Sequence, residues 1–252
     1  MYYGSLILSS MKRESFSHKF IYDMKKLLFT ISFLLIGSQF SFAQLDFNDF
    51  LKTLPISSTG TNFAEKQTTI VKGNPYLSET WTQGHLYAGG KKSKAMPVRY
   101  NLAEKAFEVQ TYRDVVLIDA YRLDKVELMT PKKKVFKNGF ASDLDEDIDK
   151  TTMFQVIYDG NVKILKKDYV KLIKAVATYG TANKEDVYKK YSKYYFYNEN
   201  KEYDDIKLKR KDIVRKFDKK NQKAIEKYAK ENNLKFDNEV HLSAILTYAE
   251  SL

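Results

Sequence analysis

Short runs of alternating apolar and polar residues, separated by turn-forming dipeptides, fill the middle of this 252-residue chain. Successive side chains of a β-strand point to opposite faces, so this period of two predicts strands. Several runs end at turn pairs, namely Gly89-Gly90, Asn138-Gly139 and Asp159-Gly160. Such short connections join antiparallel neighbours, whereas parallel strands need long crossovers. The pattern therefore favours an antiparallel meander over a βαβ fold.

One hairpin and one interruption stand out in this pattern. The Asp159-Gly160 pair favours a type I′ turn, whose twist matches that of the flanking strands. Residues 177–193 are polar and basic and interrupt the alternation, so we expect a short helix there after Asn183. The predicted strands cover residues 80–88, 95–101, 106–112, 115–118, 125–129, 133–137, 152–158, 162–167, 194–198 and 203–208.

The end of the chain has helical periodicity. Ile213, Val214 and Phe217 fit one short amphipathic helix, and Asp218 and Asn238 are suited to cap two further helices. Each apolar stripe is too narrow for an isolated helix, so these helices must pack on each other or on the sheet. The predicted fold class is mainly β (α+β): an antiparallel β-meander or half-open barrel with two to three C-terminal helices.

Residues 24–43 have the pattern of an export signal. Two lysines precede a short apolar run, and a small-x-small site predicts cleavage between Ala43 and Gln44. The run is too short to span a bilayer, and no later segment approaches the ~20 apolar residues of a membrane helix. We interpret residues 1–23 as a non-native extension. We expect an exported protein in the periplasm or at the outer-membrane periphery, with full secretion as the alternative.

Export divides the rest of the chain into three predicted parts. Residues 44–67 are expected to form a tether, residues 68–208 the antiparallel β domain, and residues 209–252 the helical tail. The chain contains no cysteine, which excludes a disulfide framework, a thiol nucleophile, cysteine-ligated metals and a lipoprotein anchor. Its 19 tyrosines and 16 phenylalanines supply ample core material.

Positive charge is concentrated near the C-terminus. The whole chain has a formal net charge of +11, and residues 183–236 hold 17 Lys and Arg against 10 Asp and Glu. The candidate partner surface is the basic cluster, Lys207, Lys209, Arg210 and Lys211. Outside the cytoplasm, such a surface would meet an acidic envelope protein or an anionic glycan or lipid surface, and not nucleic acid. The alternative is that these cations form a solvated edge that discourages aggregation. The same alternative applies to the basic residues at 131–134.

Several stretches together resemble a family of exported Bacteroidetes proteins without an assigned activity. The resemblance covers most of residues 44–252 and implies an exported β-meander with a helical tail. It implies no activity, and it transfers no functional residue. The stretches are GNPYLSETWTQGHLY (73–87), PVRYNLAEKAFEVQ (97–110), FQVIYDGNVKILKK (154–167), the run from YYFY at 194 to IKLKRKDIVRKF ending at 217, and KENNLKFDNEVHLSAIL (230–246).

Candidate catalytic and metal-binding residues are few. His85 and His241 are far apart on unlike elements, and no serine sits in a Gly-x-Ser-x-Gly elbow. His85 is expected to be a packed or half-exposed imidazole, because no second histidine lies at ligand spacing. We therefore predict no catalytic residue, no metal ligand and no cofactor.

The acidic residues Asp143, Asp145 and Asp147 are spaced like the first ligands of a calcium loop. Ile148 replaces the turn glycine, and Phe154 replaces the bidentate glutamate. We therefore expect a solvated loop, with weak calcium binding as the alternative. A hydrolase of an envelope polymer could use acidic residues such as those between 143 and 149, and this is one alternative function.

A second alternative is a glycan-binding module that uses strand aromatics. Tyrosines and a phenylalanine crowd residues 194–203, where they could stack on sugars or pack across strands. Because neighbours in a strand face opposite ways, we expect one of Tyr195 and Phe196 in the core and the other exposed. The favoured function is a non-enzymatic binding or accessory protein of the envelope.

Overall fold

The structure of the protein is a computed structural model. It describes residues 44–54, 71–140, 148–149, 152–174, 185–198, 200 and 202–252. Within them the fold is an open, mainly antiparallel sheet of twelve strands with helices at the C-terminal end. The predicted fold class is thereby confirmed, and the sheet is open and not closed into a barrel.

Up to residue 163, most strands begin and end close to the bounds that the turn residues of the sequence predict. Gly89, Gly90 and Gly139 all adopt positive φ angles (53°, 72° and 84°), as their turns require. The strands are β1 Gln44–Leu45, β2 Thr82–Ala88, β3 Lys91–Ser93, β4 Met96–Asn101, β5 Ala106–Gln110, β6 Val115–Asp119, β7 Lys125–Leu128, β8 Lys134–Lys137, β9 Phe154–Asp159, β10 Lys163–Ile173, β11 Val187–Tyr197 and β12 Tyr203–Ile206.

The sheet order departs from a simple meander at one place. Its order is β12-β11-β10-β9-β8-β7-β2-β4-β5-β6, with β3 on β2 and β1 on β3. Thus β7 does not pair with its predecessor β6 but returns to β2, through a short 3₁₀ turn at Ala120–Arg122. Two meanders, β4 to β6 and β7 to β12, are therefore joined through β2.

Residues 44–54 are part of the fold, so the predicted tether is wrong for this segment. Gln44 and Leu45 pair in parallel with Lys92 and Ser93 of β3. A short helix follows, α1 Phe47–Leu51. Phe47, Phe50 and Leu54 are buried in the main core. Residues 55–70, which hold the rest of the predicted tether, lie outside the described residues.

Core cluster 1 fills one face of the sheet around β2, β4, β5 and β7. Its members include Leu86, Val98, Phe107, Val126 and Phe136, all almost fully buried. The Phe107 ring also stacks on Tyr100, with centroids 4.4 Å apart. At about 25 cal/mol per Å² of apolar surface, these side chains make this cluster the main source of stability in the N-terminal half.

The β9 to β12 half of the sheet is covered on both faces. Ile164 pairs with Phe196 and belongs to core cluster 2, which includes the C-terminal helices. The next pair, Leu165 with Tyr195, points the other way into core cluster 3. Tyr195 and Phe196 are only 1% and 5% exposed. The prediction that one of the two would be exposed is therefore wrong.

Three helices end the chain and dock on the sheet. They are α2 Arg210–Val214, α3 Lys219–Glu231 and α4 Glu239–Ala249. Asn238 caps α4 as predicted, because its side chain accepts from the Val240 and His241 amides, whereas Asp218 makes no such bond to α3. Ile213, Ile225, Leu242, Ile245 and Leu246 join core cluster 2. No helix in the described residues is long and apolar enough to cross a membrane.

The β9–β10 connection differs from the predicted turn. Asp159 pairs with Lys163, so three residues connect the strands, and Gly160 does not adopt a positive φ. The Glu250 carboxylate, at the end of α4, accepts from the Tyr158 hydroxyl and the Val162 amide, both at 2.9 Å. A side chain at Gly160 would meet that carboxylate. A larger residue at position 160 would therefore have to displace the Glu250 carboxylate or the Tyr158 ring.

Residues 187–193 belong to β11, so the predicted interruption of the sheet is wrong there. All eleven residues of β10 pair with β11, from Lys163 with Tyr197 to Ile173 with Val187. Residues 175–184, where the short helix was expected to begin, lie outside the described residues.

Candidate docking surface

The predicted partner surface lies at the junction between β12 and α2. All four side chains of the basic cluster are exposed. The backbone beneath them is held in place, since the Lys207 amide donates to Asp212 Oδ2 at 3.2 Å and Lys209 directly precedes α2 in an extended conformation. The structure therefore presents four cations from a fixed backbone.

Helix α3 extends this cluster into a larger surface. Ile225 and Ala229 turn one face of the helix into core cluster 2, and the opposite face carries lysines. Arg210 Nε lies 3.7 Å from Glu226 Oε1 of α3, which places the cluster beside the middle of that helix. We define the basic helical face as the basic cluster together with the exposed α3 residues Lys219, Lys220, Lys223, Lys227 and Lys230.

The positive charge of this face is only partly compensated. Residues 207–231 hold eleven Lys and Arg against four Asp and Glu. Lys216 pairs closely with Asp204 of β12, and the other ion pairs of the segment are long, namely Arg210–Glu226 at 3.7 Å, Arg215–Asp212 at 3.9 Å and Lys227–Glu231 at 3.8 Å. No described acidic side chain lies within 4.0 Å of the amines of Lys207, Lys209 or Lys211. Because the eleven cations of this segment outnumber its four acidic residues, the surface has a strong positive field.

Apolar side chains are absent from the basic helical face. Residues 202–236, all of them described, include no exposed large apolar side chain. A protein interface normally has an apolar centre, whereas charge without apolar area gives steering and salt-sensitive association. The face is suited to contact with an acidic surface.

Buried carboxylates elsewhere are bound to cations. Glu108 is 1% exposed, and its Oε2 lies 2.6 Å from Arg99. The Arg99 guanidinium lies over the rings of Tyr76 and Trp81, at 3.8 Å and 4.3 Å from their centroids. Burial, followed by the negative charge of Glu108, raises the pKa of the Tyr76 hydroxyl. Trp81 is thus part of a closed structural cluster.

Glu127 on β7 is the centre of a second cluster, in which a carboxylate is bound by cations and a tyrosine hydroxyl. Its Oε1 lies 2.9 Å from Lys125 and 3.1 Å from Lys133, and its Oε2 accepts from the Tyr87 hydroxyl at 2.9 Å. Burial alone would raise the pKa of Glu127, but these hydrogen bonds outweigh it and lower the pKa to about 2. Glu127 is therefore an anion at neutral pH and cannot donate a proton as a general acid. Lys133, from the 131–134 segment, neutralises it.

Lys166 connects the sheet to α4 in the same way. Its amine lies 3.7 Å from Asp168 and 3.2 Å from Glu239 of α4, which also accepts from the Tyr194 hydroxyl at 3.0 Å. Burial would lower the pKa of Lys166, but the two carboxylates outweigh it and raise the pKa. These contacts fix α4 on β10 and β11.

Both histidines make backbone contacts. His85 Nδ1 lies 3.0 Å from the Ser93 carbonyl, and His241 Nδ1 accepts from the Lys235 amide at 3.1 Å. His85 is half-buried in β2, as expected for a packed imidazole. The two rings serve different elements, and neither faces a described nucleophile at hydrogen-bond distance.

Most of the acidic run lies outside the described residues, including Asp143, Asp145 and Asp147. Of its members, Asp149 is described; its carboxylate accepts from the Thr152 hydroxyl at 3.0 Å. No group of three metal-ligating side chains occurs in the described residues. The calcium and hydrolase alternatives therefore stay predictions.

The aromatic hairpin at 194–203 is used for packing. Tyr195 stands edge-on to Phe154, with centroids 5.7 Å apart, and Phe196 is edge-on to Phe217 at 6.2 Å. Tyr197 and Tyr203 pack beside core cluster 3. The buried rings of Tyr195 and Phe196 are not available for stacking on a sugar.

One surface was missed by sequence reasoning. Strands β10 and β11 continue past the last residues that pair with β9 and β12. These continuations, residues 167–173 and 187–193, pair with each other and form a two-stranded extension, which we call the ribbon. Lysine and tyrosine alternate along one of its faces. That alternation is itself a period of two and could have predicted a strand through 187–193.

Comparisons of the chain with protein-family models, with curated proteins and with solved structures find no match. The resemblance to exported Bacteroidetes proteins therefore stays a prediction, and function is inferred from the residues of this chain alone.

Proposed function

We propose that this chain is a non-enzymatic accessory protein of the bacterial envelope that binds an acidic partner protein through its basic helical face. The observation that supports this most is the charge of the basic cluster beside α3, which is only partly compensated. Export by the segment at 24–43 is part of the proposal. It places the surface where acidic proteins, glycans and lipids are the available anions.

An acidic protein fits this face better than a lipid surface does. Seating on a bilayer uses apolar side chains together with cations, and the face offers cations without exposed large apolar groups. Charge complementarity alone can steer an acidic protein to a face without an apolar centre, as a transient contact. The complex should weaken with salt because such charges are screened within about 10 Å at 0.1 M.

The helices also give the surface a fixed shape. Core cluster 2 contains members from α2, α3 and α4 together with Ile164 and Phe196 of the sheet. The backbone that carries the cations is therefore folded before binding, so the freedom lost on binding is that of the exposed side chains. Because the helices supply much of that core, deleting them would unfold the C-terminal half, so a test must change charges and leave the apolar side chains in place.

The test is in-cell crosslinking followed by affinity purification. The variant carries Lys207→Glu, Lys209→Glu, Arg210→Glu and Lys211→Glu. The control variant makes an equal change of net charge on four exposed cations of the N-terminal half, Lys91, Lys105, Arg113 and Lys132. We expect the wild type and the control to recover the same acidic envelope protein, less of it when the crosslinking itself is done at high ionic strength, and the variant to lose it.

Two results would contradict the proposal. In one, no acidic protein is recovered by any form. In the other, the variant and the control recover it equally. Anionic glycan or lipid would then be the next ligands to examine on this face.

A further inference from the structure

Strand β6 lies at one end of the sheet, and its first four residues, Val115 to Ile118, are all apolar. The sheet order ends at β6 on one side and at β12 on the other. At the β12 end, Asp204 and Asp205 are both exposed, and charged side chains on an edge strand discourage pairing with another chain. An edge of strand-forming apolar residues without such charges is a template for a further strand.

Every second residue of β6 directs its backbone groups away from β5. The Ala120 amide donates to the Lys105 carbonyl at 3.0 Å, so these two residues belong to the hydrogen-bonded rungs of the ladder. Hydrogen-bonded and non-hydrogen-bonded rungs alternate between antiparallel strands, and the odd-numbered residues of β6 therefore turn their amides and carbonyls outward. They are Val115, Leu117 and Asp119. No backbone group among the described residues pairs with them on the outer side.

The side chains of β6 form two rows, one on each face of the sheet. Ile118 is buried in core cluster 1, and Val116 packs against that cluster from the same face. Val115 and Leu117 lie on the opposite face, because successive residues of a strand alternate. Val115, Val116 and Leu117 are only half-buried. Each of them therefore keeps apolar surface that a further strand would cover.

The surroundings of β6 are nearly neutral in a basic protein. Residues 105–124 hold three Lys and Arg against four Asp and Glu, whereas residues 207–231 hold eleven against four. Two copies of a basic chain repel each other least where their local net charge is close to zero. The charge distribution therefore permits two copies to meet at β6 with their basic C-terminal parts away from the contact.

The edge is complementary to itself in one antiparallel register. When Val116 lies opposite Val116 of a second copy, Val115 faces Leu117 of that copy, and exposed Arg113 faces Asp119. Apolar pairs and pairs of opposite charge stabilise neighbouring strands. If the register were shifted to place Leu117 opposite its own copy, Val115 would instead face the Asp119 carboxylate. A two-fold axis repeats each favourable contact.

We propose that two copies of this chain associate about a two-fold axis by antiparallel pairing of their β6 strands, with Val116 opposite its own copy. The outward amides and carbonyls of Val115 and Leu117 bond across the axis, and the two sheets become one continuous sheet. A contact of this kind is small, and interfaces below about 1,200 Å² are typically transient, so the dimer dissociates on dilution. This inference uses no residue of the basic helical face, and a partner protein can bind that face without the dimer.

Sedimentation velocity between about 1 and about 200 µM measures this association. The sample is residues 44–252, which contain every member of the three core clusters. We expect the weight-average mass to rise with concentration towards twice that of one chain, and no further, because a two-fold contact closes.

Two variants of the edge should lose the association. Val115→Lys with Leu117→Lys places like charges opposite each other across the axis and should weaken the dimer at least about tenfold. Leu117→Pro removes an outward amide while the bonds to β5 stay in place, which an edge strand tolerates, and it should weaken the dimer in the same way. The control Val240→Lys, at a position 52% exposed on α4, should associate like the wild type. Thermal unfolding at the lowest concentration verifies that each variant is folded.

Engineered cysteines test the register without depending on loss of association, because the chain contains no cysteine of its own. Opposite residues of a non-hydrogen-bonded rung have Cα atoms about 4.5 Å apart, within the range of about 4.4–6.8 Å that a disulfide spans. Diamide, which takes up the two electrons and two protons of the two thiols, should therefore link Val116→Cys into a dimer. Leu117→Cys and the control Val240→Cys should form such dimers much more slowly.

The inference is overturned if the chain stays monomeric at the highest concentration, if the mass rises beyond two chains, or if both edge variants associate like the wild type. It is also overturned if Val240→Lys weakens the association as much as the edge variants do. Faster disulfide formation by Leu117→Cys than by Val116→Cys would overturn the proposed register.

Discussion

Replacing Glu127 by glutamine should destabilise the protein in a pH-dependent way. Glutamine keeps the shape of the side chain but removes the charge that faces Lys125 and Lys133 at 2.9 Å and 3.1 Å. The Glu127 side chain is 12% exposed, so water compensates for little of this loss. Lys125 then keeps its contact with the Tyr87 ring, 3.9 Å from the centroid, without an anion beside it.

The size of the effect follows from the lowered pKa. A fall from 4.5 to about 2 corresponds to at most about 3–4 kcal/mol, since one pKa unit is worth about 1.4 kcal/mol. We expect the free energy of unfolding of Glu127→Gln to fall by about 2 kcal/mol at neutral pH. The folded-state pKa is depressed, so this stabilisation is complete above the ordinary value of 4.5 and is lost as the pH falls towards 2.

Urea denaturation of both forms at about pH 7 and about pH 3 measures this difference. Glu226→Gln is the matched control, because its partner Arg210 is 68% exposed and lies 3.7 Å away; it should change stability by less than about 0.5 kcal/mol. The reasoning is refuted if Glu127→Gln is as stable as the wild type at neutral pH. It is also refuted if the difference stays the same at the lower pH.

Three further outcomes are expected. Mass spectrometry of the exported protein should give a chain that begins at Gln44, and retention of the preceding residues would contradict the predicted cleavage. Gly84→Ala should lower the unfolding free energy by about 1–3 kcal/mol, because its Cβ would lie 2.8 Å from the Glu127 carbonyl oxygen; an unchanged urea midpoint would contradict this. Ile245→Ala should cost about 2–5 kcal/mol because Ile245 is fully buried, whereas Val240→Ala, 52% exposed on the same helix, should stay within about 0.5 kcal/mol; equal thermal midpoints would show that α4 does not pack as described.

Local signals in the sequence were sufficient for most strands. Glycine pairs such as Gly89-Gly90 fix turns through their own backbone freedom, and Asn238 caps α4 through a bond within three residues. Such features need no knowledge of distant parts of the chain. The antiparallel sheet with C-terminal helices could therefore be predicted.

Features that depend on distant contacts could not be predicted in this way. The short segment around Phe50 looks like a tether until core cluster 1 is known to bury it. The connection at Gly160 differs from the expected turn, and Glu250 from the end of the chain accepts a hydrogen bond from the Val162 amide within it. Tyr195 and Phe196 are both buried because helices cover one face of their sheet and core cluster 3 the other. In each case a partner far along the sequence decides the outcome.

In the candidate surface, too, local features could be predicted and those that depend on distant contacts could not. Exposure of the basic cluster could be predicted from its charge, and the structure places Arg210 beside α3 to enlarge it. The ribbon was missed because dense lysine was interpreted as a break in the sheet, although lysine alternates there with tyrosine. Pairing with β10 over eleven residues overcomes the modest strand preference of lysine.

Site-specific photocrosslinking in living cells tests the basic helical face most directly. A photoreactive residue placed at Lys211 should crosslink to an acidic envelope protein, and the same residue at Lys105, which is also exposed but lies in the other half of the sheet domain, should not. Crosslinking from Lys105 alone, or equally from both positions, would contradict the account, as would the absence of any adduct from Lys211.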